Sequence, residues 1–220
     1  MVAFSEVPAT IPATVLRQHV YDTPHKTAVV LGLPQGGTSM LAAVVDALGV
    51  PMTAGKLFNF EAEDGRPHVG DTLQQWIGKV EAWNERADVW GFKDTIIWRF
   101  DAQAVQAVLR NPYYLVAVRD VAAITQRRAA NHGVTDPRHL ASIAVEVAEQ
   151  SSALWRFLGD LQEGPLLIVS YERAIRDGES ACRVVGRIAN FLGLQPTNTQ
   201  VLNAIGRISQ TGGYLTKDGT

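Results

Sequence analysis

The sequence predicts an α/β fold, a mainly parallel sheet flanked by helices in three layers. Short apolar runs alternate with helix-length segments, which is the pattern of βαβ units. Tyr113 to Val118 (YYLVAV) is apolar at every position, as a central strand covered on both faces must be. A third observation is the join between the first strand and the first helix, a glycine-containing loop at Gly32 to Gly37.

Each element has a local reason. Thr27 to Leu31 (TAVVL) is β-branched and too short for a helix, so it reads as a buried strand. Thr38 to Leu48 reads as a helix stopped by Gly49 and Pro51. Asp88 to Phe92 is a weaker strand. Asp101 to Arg110 is a helix with an aspartate N-cap, ended by Asn111-Pro112. After the YYLVAV strand come a helix from Asp120 to about Ala130 and a long amphipathic helix from Asp136-Pro137 to about Leu161. Leu166 to Val169 is the fourth strand, and helices around Cys182 to Leu192 and Asn198 to Ile208 complete the chain. A single domain over residues 1–220 is expected, with 1–26 as an N-terminal extension and 52–87 as an irregular region.

Composition narrows the function. Of 220 residues, 46% are hydrophobic and 19% charged, far from the disordered regime. The net charge of −2 gives no global basic field, so nucleic acid and anionic membranes are not expected partners. One cysteine, Cys182, excludes an intrachain disulfide framework and a multi-thiolate zinc site. It is expected to pack as a small apolar residue in a cytoplasmic, reducing setting. The N-terminus lacks a basic segment followed by an apolar one, so no secretory signal is expected. The uncharged stretch Ala28 to Val45 is interrupted by Pro34-Gln35-Gly36-Gly37 and does not read as a membrane span. His19, His25, His68, His132 and His139 show no ligand spacing, and no metal is expected. The tryptophans at 76, 83, 90, 98 and 155 read as packing groups.

The strongest local signal is LGLPQGGTSML, Leu31 to Leu41. A strand that turns directly into a helix leaves the first helical amides without intrahelical partners, and these form an anion site. Gly36 and Gly37 let the backbone approach an oxygen-rich ligand, while Thr38 and Ser39 add hydroxyl donors. Against the nucleoside-triphosphatase pattern G-x4-G-K-[ST], Gly32, Gly37 and Ser39 fit but Thr38 occupies the lysine position. A P-loop nucleotide kinase is thereby disfavoured. Lys93 and Asp94 lie at the exit of the second strand and Arg119 at the carboxyl end of the third, on the edge where open parallel sheets bind ligands.

The ordered set GLPQGGTSML, WGFKDT, YYLVAVRDVAAITQRR and LLIVSYERAIRD…IANFLGL resembles the bacterial-type sulfotransferases. The resemblance spans roughly residues 27–195. It implies a P-loop-like version of the fold, 3′-phosphoadenosine 5′-phosphosulfate (PAPS) as co-substrate, no metal, and a hydroxyl or amine acceptor on a small molecule or glycan. The phosphosulfate loop falls on Gly32, Pro34, Gln35, Gly36, Gly37, Thr38 and Ser39. The 3′-phosphate contacts fall on Arg119 and, eight residues on, Arg127, with Thr125 or Arg128 as further contributors. The family's loop cation falls on the uncharged Gln35, and Lys93 is the residue expected to compensate. Glu61 matches a position where relatives carry an acidic base, with Asp94 and Glu63 behind it. Gly212-Gly213-Tyr214 and Lys217 resemble a late loop over the nucleotide. Ser170-Tyr171-Glu172 is expected to supply structural hydrogen bonds, and residues 52–87 to lie on the acceptor side. Because residue 35 is uncharged, a nucleotide-binding protein with weak or no transfer is the alternative.

Overall fold

A computed structural model of the chain describes residues 12–18, 21–52, 67 and 70–209. Five strands, β1 (Ala13–Arg17), β2 (Lys26–Gly32), β3 (Val89–Asp94), β4 (Pro112–Val118) and β5 (Leu166–Ser170), form one sheet in the order β1-β5-β4-β2-β3. Strands β2 to β5 run parallel, and β1 pairs antiparallel with β5. The helices are α1 (Thr38–Ala47), α2 (Leu73–Arg86), α3 (Ala102–Val108), α4 (Val121–Asn131), α5 (Pro137–Asp160), the short α6 (Tyr171–Ala174), α7 (Gly178–Leu192) and α8 (Asn198–Ser209).

Strand alternation sorts the core into two halves. Ala28, Val30, Leu115, Ala117, Leu167 and Val169 face α1, α7 and α8. Val29, Leu31, Trp90, Phe92, Tyr114 and Val116 face α2 to α5. Every β2 residue from Thr27 to Gly32 is buried, as its central place requires. The result is the α/β three-layer arrangement expected from the sequence.

Aspartates fix several helix starts. Asp101, Asp120, Asp136 and Asp177 each accept a backbone N–H from the first turn of α3, α4, α5 and α7. Gly193, with φ of 60°, closes α7 in the left-handed conformation that glycine adopts without strain.

Four expectations need correction. Residues 73–86 are not irregular: Thr72 and Gln75 form a reciprocal capping box, and Trp76 and Val80 bury one stripe of α2. Within the expected N-terminal extension, Ala13–Arg17 adds an edge strand to the sheet. The second strand runs on through Lys93 and Asp94 instead of ending at Phe92, because both pair with β2 in register, opposite Val30 and Leu31. Cys182 faces solvent, since the buried stripe of α7 runs through Ala181, Val184, Val185 and Ile188.

Candidate functional site

From the adjacent strands β2 and β4 the chain leaves in opposite directions, into α1 on one face and α4 on the other. A crevice opens outside the carboxyl ends of such a strand pair. The loop of residues 33–37 lies at this point, and its shape depends on close approach. Gly32 has φ of 152°, and a Cβ there would lie 2.6 Å from the Ala117 carbonyl oxygen. The Gly36 amide donates to the Leu33 carbonyl at 2.8 Å, tightening the turn. Gly37, with φ of 93°, is the N-cap of α1 and packs so closely on Tyr171 that a Cβ would sit 2.4 Å from its ring.

Helix α1 has no side-chain cap and no acid in its first turn. Its positive end is therefore left to whatever enters the crevice. Thr38 is buried there, while Ser39 and Pro34 are half-buried.

Three cations gather around this loop. Lys93 is only 8% exposed, and its Nζ lies 3.3 Å from the Ser39 hydroxyl. Strand parity explains its direction: residues 89 and 93 face α1, whereas 90, 92 and 94 face α2. Arg119 donates from NH1 to the Gln35 carbonyl at 3.0 Å, with its guanidinium 4.6 Å from the Tyr171 ring centroid. Glu172 lies 3.7 Å from Nε of Arg119 and accepts the Asp120 amide at 3.1 Å. That contact is the structural hydrogen bonding expected of this segment. Arg128, also 8% exposed, donates from Nε to the Gln35 side-chain oxygen at 3.2 Å.

Gln35 thus bridges two arginines, one on its backbone and one on its side chain. Its φ of 61° is unusual for a residue with a Cβ, at a cost of roughly 1–2 kcal/mol that the two contacts counter.

The site brings together the 32–39 loop, Lys93 and Arg119. Arg127 lies half-buried on α4, one position before Arg128. Arg128, considered from sequence only as an additional phosphate contact, is the α4 residue that meets Gln35; its signal was an arginine on the stripe of Ile124, Thr125 and Arg128 that α4 buries. Thr125 spends its hydroxyl on the Val121 carbonyl, 2.8 Å away. Glu61, Glu63 and residues 212–217 lie outside the described residues.

Asp94 turns away from Lys93 toward α2. It is 1% exposed, and its Oδ1 accepts the Ile96 amide at 2.9 Å. Burial pushes its carboxyl above the ordinary value, against the pull of that amide and of Arg99; the Trp76 indole also lowers it, without a hydrogen bond of good geometry to Oδ2. A raised carboxyl pKa means that the unfolded chain gives up this proton first. Stability is therefore lost as pH climbs from the ordinary carboxylate value toward the raised one. Asp94→Asn keeps an acceptor for Ile96 and removes the buried charge. It is expected to narrow the loss of stability that the parent shows as pH rises through the carboxylate range, with no advantage left below that range. Thermal melts of both proteins across this range check it.

No family model matches the chain, and no curated protein matches it in sequence. Solved structures do resemble it. The sulfotransferase domain from the curacin biosynthetic pathway superposes with a TM-score of 0.53 at 12% identity, covering 80% of this chain and 76% of that one. The sulfotransferase domain of the Synechococcus PCC 7002 olefin synthase gives 0.54 at 16% identity, covering 90% and 84%. At these identities the likeness speaks for the fold alone, which is a P-loop-like, sulfotransferase-like α/β fold. No helix among the described residues is long and apolar enough to cross a membrane.

Proposed function

We propose that the protein transfers a sulfuryl group from PAPS to a hydroxyl or amine of a small molecule or glycan, in the cytoplasm. The observation that carries this reading is the contact between Arg119 and the Gln35 carbonyl, which joins a strand-end guanidinium to the glycine loop in one crevice. NH1 is the one group of Arg119 that donates a hydrogen bond among the described residues, so its fork has capacity for a phosphate. The amides of the 32–39 loop hold the phosphosulfate, and Arg119, with Arg127 from α4, selects the 3′-phosphate. This reading is supported by glycines that keep the loop tight and by a helix end behind it that carries no acid in its first turn.

The donor supplies an activated sulfur. The acceptor oxygen or nitrogen bonds to it as the bridging bond to phosphate breaks, and negative charge grows on the departing oxygen. Lys93, held beside Ser39 at the start of α1, is the cation that stabilises this charge, a role of about 3–4 kcal/mol for one well-placed donor. Glu61 takes the acceptor's proton.

The uncharged Gln35 supports a second reading, a protein that binds the nucleotide without efficient transfer. Calorimetry with 3′-phosphoadenosine 5′-phosphate (PAP) and with ATP tests the assignment. PAP is expected to bind about tenfold tighter or more, since ATP offers no 3′-phosphate to a charged hydrogen-bond donor. Comparable affinities would contradict the assignment. PAP binding without turnover of PAPS over a broad acceptor panel would favour the second reading.

A further inference from the structure

Arg128 is a buried guanidinium with mostly neutral partners. Nε donates to Gln35 Oε1 at 3.2 Å, NH2 to Gln150 Oε1 at 2.6 Å, and NH1 to Glu146 Oε1 at 3.3 Å. Gln150 in turn donates to the same Glu146 oxygen at 2.8 Å. Glu146 is the one carboxylate in this set, and its side chain is 59% exposed, so solvent screens much of its charge. Burying a guanidinium is costly unless its field is used or fully matched. Here the match is partial, and positive charge persists next to the loop.

The Gln35 carboxamide shows the consequence. Its oxygen is committed to Arg128, and its Nε2 meets no hydrogen-bond partner among the described residues. A planar amide whose oxygen is pinned on one side presents its NH2 on the other, and a cation on the oxygen polarises that NH2 into a stronger donor. Arg119 fixes the backbone of the same residue.

We infer that Arg128 is a positioning residue for the anion site: it orients Gln35 as a polarised donor and lends the loop the positive charge that position 35 lacks. Glu146 and Gln150 hold the guanidinium in place from α5. The inference rests on the reading that this loop holds the phosphosulfate group.

The test uses the full chain, PAP calorimetry and thermal melts. Arg128→Met keeps the apolar stem and removes both the charge and the Nε donor. PAP binding is expected to weaken about tenfold to a hundredfold, the scale of a hydrogen bond to a charged group. Adding Gln35→Lys in that background puts a cation directly in the loop. It is expected to bring affinity back to within about threefold of the parent, while the melting temperature stays lowered because the hydrogen bonds from residue 128 to Glu146 and Gln150 on α5 remain absent. A merely structural role would lower stability and affinity together, with no recovery from Gln35→Lys. Arg128→Lys, which keeps the charge and places least strain on folding, is expected to fall between the parent and Arg128→Met. Parent-like PAP affinity in Arg128→Met, or no recovery in the double variant, overturns the inference while leaving the nucleotide assignment in place. Failure of the parent to bind PAP overturns both.

Discussion

Gly32→Ala is expected to be the most destabilising single substitution at the site. The new Cβ would lie 2.6 Å from the Ala117 carbonyl oxygen and 2.7 Å from the Thr38 methyl. The first of these is backbone in the central strand β4, paired to β2 at this same register, and cannot swing aside. The φ of 152° adds strain that an alanine side chain does not tolerate well. Overpacking and backbone strain together give a loss of about 2–5 kcal/mol. For a chain of this size that lowers the melting temperature by roughly 5–15 °C. The change also displaces the loop relative to β4, so nucleotide affinity falls with stability. Differential scanning calorimetry measures the first effect; a parent-like melting temperature would mean that β2 and β4 are not this close.

Arg119→Ala is expected to do the opposite, with a large effect on ligand and a small one on fold. The side chain contributes one hydrogen bond to the Gln35 carbonyl, a stacked contact with Tyr171 and a half-exposed ion pair with Glu172 at 3.7 Å. Their loss costs about 1–2 kcal/mol of stability. A 3′-phosphate loses its charged donor, and PAP affinity falls about tenfold to a hundredfold. On the proposed reading ATP is held by the loop amides and Lys93, so its binding is expected to change much less.

The parts of this molecule legible in its sequence are those with a local cause. β2, β4 and β5 show themselves as apolar runs, and Asp101, Asp120 and Asp136 mark helix starts because capping acts within three residues. The loop and Arg119 are legible for the same reason, a glycine turn and a lone charge at strand ends. Long-range partners leave no local trace. Arg128 is anchored by Glu146 and Gln150 from α5 and reaches back to Gln35, 93 positions earlier. Strand β1 is a five-residue edge element whose half-exposed pattern depends on pairing with β5, far along the chain. Helix α2 did carry a local sign, the Thr72–Gln75 capping box, but Gly70, Gly78 and mixed charges masked its narrow apolar stripe.

On the proposed reading, the guanidinium of Arg119 and the loop of residues 32–39 form one nucleotide site that reads a 3′-phosphate. The most direct measurement is the ratio of PAP to ATP affinity, by calorimetry, in the parent and in Arg119→Ala. The expected result is a strong PAP preference in the parent that collapses toward unity in a variant whose melting temperature falls by only a few degrees. An equal preference in both proteins would contradict it.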